Sequence, residues 1–354
     1  LLEIDGAQGP GGGQLLRTSL SLSILLRKPF RMTGIRAGRK KPGLQAQHLT
    51  AVKAAAEVSR ARVHGADLNS EALTFEPERL EAGRHRFDIG TAGSTALVLQ
   101  TLLPALLFAG KPSELEIRGG TANPFAPSAL YLEQVFLPTL ARMGAKATAR
   151  VERWGFYPAG GGVLRARVEP ANGLTAIDLR GRGRLEEVRG YAVVANLPAG
   201  VAEREKTRAL KVLAEASLEA RITLERAEAD GPGNEFFLLA RYANARAGFS
   251  SLGEKGKPAE QVAEEAAREL AAFHASGASA DAHLADQLLL YAALARGETR
   301  YTTPRVTSHL VTNAWLVEKF LPQADIDVEG EEHEPGEVRV SGVGFAGARA
   351  SSGA

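Results

Sequence analysis

Residues 94–109 read STALVLQTLLPALLFA, and the chain then continues with ELEIRGG at 114, SALYLEQVFLPTLARM at 128, KATARVE at 146 and GVLRARVE at 162. The first and third of these stretches carry apolar residues at helical spacing, and the others alternate as strands do. With RFDIG at 86 in front, the order is strand, helix, strand, helix and a closing pair of strands. The same order recurs on either side. QLLRTSLSLSILLR at 14 leads to FRMTGIR at 30 and QAQHLTAVKAAAEVS at 45; LADQLLLYAALAR at 284 leads to ETRYTTP at 298 and SHLVTNAWLVEKFLP at 308. The chain therefore reads as three copies of a two-helix, four-strand unit, an α/β (α+β) main domain.

The first helices of the copies start near 14, 94 and 284, so the second step is more than twice the first and something is interposed. Residues 186–277 fit, with strand-like runs GYAVVANL, EARITLERA and FFLLARYA, two polar helices, VAEREKTRALKVLAEAS and PAEQVAEEAARELAAF, and a linker-like exit, ASGASADA. The expected organisation is thus 1–185 for two units and the start of a third, 186–277 for a smaller inserted α/β domain, 278–342 for completion of the third unit, and a flexible Gly/Ala/Ser-rich tail at 343–354.

Composition narrows the chemistry. The 354 residues are 44% hydrophobic, enough for a large core, and 43 Lys+Arg against 41 Asp+Glu leave a net charge of +2. No broad basic surface coats nucleic acid, so any such contact rests on local clusters. Absence of Cys removes thiol nucleophiles, disulfides and cysteine metal sites, and agrees with a cytoplasmic home. No apolar run is long enough to span a bilayer, and LLEIDGAQG lacks a signal-peptide layout. Because no initiator Met is present, the chain as given is expected to begin after the true N-terminus.

Two strand-to-helix turns, GAQGPGGGQ and TAGST, place backbone N–H groups at a helix start, an arrangement that holds phosphate or carboxylate groups. Neither has Walker or dinucleotide-fingerprint spacing, and tight-turn geometry without a ligand explains such loops as well. In GIRAGRKKPGLQAQH, Arg36, Arg39, Lys40 and Lys41 crowd before a Pro-Gly turn. A charge run is more often a solvated loop. With Arg17 one turn into the first helix, and His48 expected to face out from the start of the next, the guanidinium groups can form a fork-shaped phosphate site. The loops GGTANPFAPS and GFYPAGGG mix aromatic, Pro and Gly residues that can flank a planar base or simply pack.

In TSHLVTN, at 307–313, a helix is expected to begin at Thr307 or Ser308, placing His309 in its first turn. There the helix dipole disfavours imidazolium by about 0.3–1 kcal/mol, so the ring is expected to be mostly neutral and able to act as a nucleophile toward phosphorus. On position alone, a capping-region histidine that packs is the commoner case.

DGAQGPGGGQLLR, IRAGRKKPGLQAQHLTAVKAA, GTAGSTALVLQTLLPAL, GGTANP, GFYPAGGG, HLADQLLLYAAL and SHLVTN together resemble the RNA 3′-terminal phosphate cyclase family, in the right order over nearly the whole chain. That resemblance implies three α/β units with an inserted domain. It implies an ATP-dependent conversion of an RNA 3′-phosphate end to a 2′,3′-cyclic phosphate through a covalent histidine–AMP adduct and an RNA-adenylate, releasing AMP and diphosphate, with Mg²⁺ or Mn²⁺. By the resemblance, His309 is the nucleophile, and Gln100, Pro127, His283, Leu284, Ala285, Asp286 and Gln287 bind ATP, with His283 and Pro127 sandwiching the base. Arg17, Arg36, Arg39 and His48 correspond to residues that bind phosphates of ATP or of the RNA end. The expected partners are ATP and RNA with a 3′-terminal phosphate, with no membrane and no obligate protein partner.

Two departures stand out: His283 where the family commonly has Tyr, and Pro10 where it usually has a Glu near metal and nucleotide. Members acting in ribosome assembly without the nucleophile are the alternative. Enolpyruvyl-type transferases, with their larger duplication, do not account for SHLVTN, and lysine-based nucleotidyl transfer would need a KxDG-like motif that is absent.

Overall fold

The computed structural model describes residues 1–198 and 200–347. The first unit runs β1 (Leu2–Asp5), α1 (Gly13–Leu26), β2 (Phe30–Thr33), α2 (Ala46–Ser59), β3 (Arg62–His64) and β4 (Leu73–Glu76). Its strands lie in the order β1-β2-β4-β3, with β1 and β2 parallel and the other pairs antiparallel. A parallel pair needs a crossover, and α1 supplies it. Ten residues of α1 are buried, leaving Arg17 among the few that reach outward.

The second unit repeats the order: β5 (Arg84–Asp88), α3 (Thr95–Leu106), β6 (Ser113–Gly119), a second helix, then β7 (Lys146–Arg153) and β8 (Gly162–Glu169), with sheet order β5-β6-β8-β7. That second helix is broken into α4 (Ala129–Tyr131), a π-helical turn over Leu132–Phe136, and α5 (Leu137–Arg142). The cause is Pro138, which has no N–H to give to the carbonyl four residues back and whose ring collides with it. The freed Gln134 carbonyl accepts instead from the Arg246 guanidinium at 3.2 Å.

Between the second and third units come β9 (Leu185–Ala195), α6 (Gly200–Glu215), β10 (Arg221–Arg226), β11 (Gly233–Tyr242), β12 (Arg246–Leu252) and α7 (Ala259–Ser276), making a separate sheet in the order β10-β9-β11-β12. Strand β12, RAGFSSL, was not expected. Its Gly248 and paired serines give almost no strand signal, and it is held by its pairing with β11. One face of this sheet packs under α6 and α7 with its own apolar cluster, while Val193, Ala195, Phe237 and Leu239 join the main core.

The third unit is α8 (Ala282–Leu294), β13 (Arg296–Thr303), α9 (Ser308–Phe320), β14 (Asp325–Glu329) and β15 (Gly336–Val343), in the order β13-β15-β14. Its fourth strand is reduced to isolated parallel bridges from Thr175 to Arg296 and from Asp178 to Arg300, made just before the chain leaves for β9. Part of the expected tail is held. Phe345 donates its backbone N–H to the Leu294 carbonyl at 2.8 Å and packs edge-on against Phe108 with ring centroids 4.9 Å apart, because an apolar ring finds a partner there. Residues 348–354 of that tail lie outside the described residues. No helix among the described residues is long and apolar enough to cross a membrane.

Candidate active site

The first helices α1, α3 and α8 converge with the starts of α2 and α9 on one cavity of about 890 Å³. Polar side chains tie the helices together there. Thr18 donates to the Asn313 side-chain oxygen at 2.9 Å, Asn313 donates to the Asp286 carbonyl at 2.9 Å, Ser21 donates to the Thr101 carbonyl at 2.7 Å, and Gln100 donates to Gln287 at 2.6 Å. All three units therefore contribute to one set of walls.

Part of the cavity lining is cationic. Arg17, Arg36 and Arg39 belong to it, and among the described residues none has a carboxylate oxygen within 4.0 Å. Arg36 is aimed by bonds to the Lys41 and Gly43 carbonyls at 2.6 and 2.9 Å, and Arg39 by bonds to the Gly11 and Pro10 carbonyls at 3.3 and 3.1 Å. Partial burial pushes the Arg17 guanidinium down to about 10, against the pull of Asp286, so it stays charged at neutral pH. Arg17 and Arg39 each bring a guanidinium nitrogen beside the glycine-rich turn, 2.7 Å and 3.4 Å from where side chains on Gly13 and Gly12 would stand. A side chain on Gly13 would lie 2.5 Å from His48 Nε2 and 2.7 Å from an Arg17 nitrogen, so only glycine leaves room there.

The expectation that His48 faces outward is corrected: it is 6% exposed. It sits at the third position of α2, where its Nδ1 accepts the Gln45 backbone N–H at 3.2 Å. Burial, then Arg17 and Arg36, push its pKa down to about 3. A neutral ring accepting at Nδ1 carries its proton on Nε2, the atom facing Gly13. His48 is thus a neutral hydrogen-bond donor beside the guanidinium groups.

His309 lines the same cavity as the second residue of α9. Thr307 caps the helix, its hydroxyl accepting from Leu310 N at 3.0 Å. The His309 ring is half-buried, with Cε1 close to where a Gly12 side chain would stand. Its pKa lies below the ordinary histidine value, first through burial and then through Arg17, Arg39 and His283. The result is an uncharged imidazole near guanidinium groups that have no carboxylate partner among the described residues, an arrangement that could support nucleophilic attack on a phosphate bound there.

Gln100, Pro127, His283, Asp286 and Gln287 also line the cavity. Asp281 caps α8 and aims it, accepting from the His283 and Leu284 backbone N–H groups at 3.0 and 2.9 Å. Burial pushes the Asp286 carboxyl up to about 8, so in the free protein it can donate as well as accept at neutral pH. Leu284 and Ala285 do not reach the cavity. They are 0% and 1% exposed, because helical geometry turns 283, 286, 287 and 290 to one face and 284 and 285 to the core.

Sequence pattern gives no signal for three further contributions. Gln47 lines the cavity and accepts the Ser94 backbone N–H at 3.0 Å, joining the first two units. Phe125 stands at the wall beside Pro124 and Pro127. The interposed segment supplies Ser250, Ser251, Glu254, Lys257 and Glu269. Only the three-dimensional path of β12 and α7 brings those residues here.

Cationic groups without carboxylate partners, a neutral histidine and a polar slot define an enzyme that works on phosphate groups. The chain matches the RNA 3′-terminal phosphate cyclase family over residues 8–326. Its relatives include RNA 3′-terminal phosphate cyclases of Methylococcus capsulatus, 48% identical over 97% of each chain, and of Ralstonia nicotianae, 49% identical over 93% of this chain and 94% of that one. The protein of the same name from Nostoc punctiforme is 46% identical over 90% of this chain and 94% of its own. The chain belongs to the RNA 3′-terminal phosphate cyclase family.

Proposed function

We propose that this cavity converts an RNA 3′-phosphate end to a 2′,3′-cyclic phosphate at the expense of ATP, in three displacements. The lone pair of a His309 ring nitrogen attacks the α-phosphorus of ATP; an N–P bond forms, the bond to the β-phosphate oxygen breaks, and diphosphate leaves. An oxygen of the RNA 3′-phosphate then attacks the same phosphorus and displaces His309. Finally the adjacent 2′-hydroxyl attacks the 3′-phosphorus, gives its proton to solvent, and AMP departs. A phosphate monoester is a poor electrophile, and the anhydride to AMP supplies the leaving group it lacks.

The observation that carries this reading is the neutral His309 ring beside Arg17 and Arg39 at the start of α9. Arg17, Arg36, Arg39 and the His48 Nε2–H would hold phosphate oxygens, and Gln100, Asp286 and Gln287 the nucleoside, with Pro127 and His283 on the faces of its base. Among the described residues no group of three or more His, Asp or Glu side chains could hold a metal ion, and Pro10 offers no ligand oxygen from its side chain. A divalent cation is therefore expected to arrive with the nucleotide, as Mg²⁺ commonly does, and no step above is routed through it.

An RNA oligomer with a 3′-phosphate, incubated with protein, ATP and Mg²⁺, should acquire an end resistant to phosphatase, and an identical oligomer with a 3′-hydroxyl should be unchanged. An unaltered phosphate end sinks the cyclase reading. Pro10 favours one alternative, a catalytically silent cyclase-like RNA-binding protein; tight RNA-end binding without turnover would select it.

A further inference from the structure

Two large aromatic side chains lie outside the core on neighbouring loops. Phe125 is 107% exposed and Tyr157 is 70% exposed. The loops are pinned side by side: Ala122 bridges Phe156 in parallel, and Thr121 donates its backbone N–H to the Gly155 carbonyl at 2.9 Å. Nearby Trp154 and Phe156 are buried and stacked on each other with centroids 5.7 Å apart, so the fold does bury rings in this region. Phe125 has the further peculiarity of a left-handed backbone, φ 61°, a conformation unfavourable for a bulky side chain. Its ring gains no packing in return for that strain, a combination that concentrates at ligand-binding sites.

The position of the ring decides what it meets. Phe125 lines the cavity that holds Arg17, Arg36 and Arg39, so a polyanion drawn to those cations passes it. We propose that Phe125 is a stacking platform for a nucleobase of the RNA close to its 3′ end, and that Tyr157 extends the platform outward; this rests on the reading of the cavity as an RNA 3′-end site. Stacking on an aromatic face suits an enzyme acting on an RNA end of any sequence, because every base has a π-face. The arginines hold the phosphate, and Phe125 fixes the direction in which the chain leaves it. Phe125 acts as a positioning residue, remote from the bonds that change.

The test is a cycle between protein and RNA. Oligoribonucleotides with a 3′-phosphate, intact or abasic at the last, second-last or third-last nucleotide, are titrated against the unaltered protein, Phe125→Ala and Phe125→Trp by fluorescence anisotropy, and their cyclisation kinetics are measured. Phe125→Ala should weaken intact RNA by about ten- to a hundred-fold, with the change in KM for RNA rather than in kcat. At one of the three positions an abasic site should weaken binding to the unaltered protein and have almost no added effect on Phe125→Ala. Phe125→Trp should restore affinity, and the salt dependence of binding should be the same in all three proteins. Phe125→Gly, which removes ring and strain together, should fold at least as stably and bind RNA as weakly as the alanine variant. Losses that simply add at every position, affinity unchanged in Phe125→Ala, or an increase confined to the KM for ATP would each overturn the platform while leaving cyclisation intact. No RNA binding by the unaltered protein would sink both the platform and the cyclase reading.

Discussion

At the scale of single residues, the site depends on which charges are left without partners. Many arginines elsewhere are matched to carboxylates, as Arg165 is to Glu116 at 3.1 Å or Arg208 to Glu264 at 2.5 Å, whereas among the described residues Arg17, Arg36 and Arg39 in the cavity are not. Replacing Arg39 by Ala should lower kcat for self-adenylylation by about 10²- to 10³-fold, the usual cost of one transition-state donor; a stopped-flow or quench-flow rate within threefold of the parent would contradict that role. The neutral state of His309 gives a pH prediction. Its pKa is lowered, and in the proposed mechanism the unprotonated ring is the reactive form, so activity should survive as pH falls through the ordinary histidine value of 6.5 and be lost only below it. The acid limb of kcat/KM for adenylylation, which reports the free enzyme, checks this; a limb at or above pH 6.5 contradicts it. Arg39→Ala should shift the limb upward, since it removes one of the cations that depress the ring.

At the scale of elements, the glycine-rich turn and the helix starts act by close approach. Gly13 lies at the start of α1 without left-handed φ, so an alanine there costs little in backbone strain, while its side chain would push on His48 and Arg17. Gly13→Ala should therefore fold with a melting temperature near that of the parent and lose about 10²-fold in adenylylation, the scale set by displacements of about 1 Å in a reacting site; calorimetry and single-turnover kinetics measured together decide it. Much at this scale was readable from the chain. Apolar periodicity located α1, α3, α8 and α9, and Thr307 announced the start of α9. What periodicity could not give was the partner of each polar residue. His48 reads as outward-facing because its bond to the Gln45 N–H is invisible in one dimension, and nothing in the pattern singles out Gln47, whose partner is the Ser94 N–H of the next unit. Leu284 and Ala285 belong to a contiguous motif, yet a helix shows a cavity only every third or fourth residue.

At the scale of the whole molecule, the sheet of β9 to β12 is docked on the repeats with a charge-bearing group enclosed. Glu235 on β11 is 0% exposed, and burial pushes it up to about 8 against the opposing pull of the Ser128 hydroxyl, with Glu225 adding to the rise. A raised carboxyl pKa means that the folded state keeps a proton the unfolded chain has lost, so its contribution is complete below about pH 4.5 and disappears as pH rises through about 8. Glu205 and Asp286, each also pushed up to about 8, act in the same direction. The melting temperature should thus fall between pH 6 and pH 9, and Glu235→Gln should fall less steeply; equal slopes would show that Glu235 is not the enclosed acid described here. The same docking explains why this part of the cavity lining was unreadable: Ser250, Ser251 and Lys257 lie more than two hundred residues from Arg17, and only the turn from β12 into α7 carries them to it.

The central claim is that an uncharged imidazole at the start of α9 takes AMP from ATP. The protein should be incubated with ATP and Mg²⁺ in the absence of RNA, its intact mass recorded, and the adduct mapped by peptide fragmentation under conditions that preserve an acid-labile N–P bond. The predicted result is the addition of one AMP, located on His309 and absent from His309→Ala. AMP on another residue, or an adduct that persists in His309→Ala, would contradict the account.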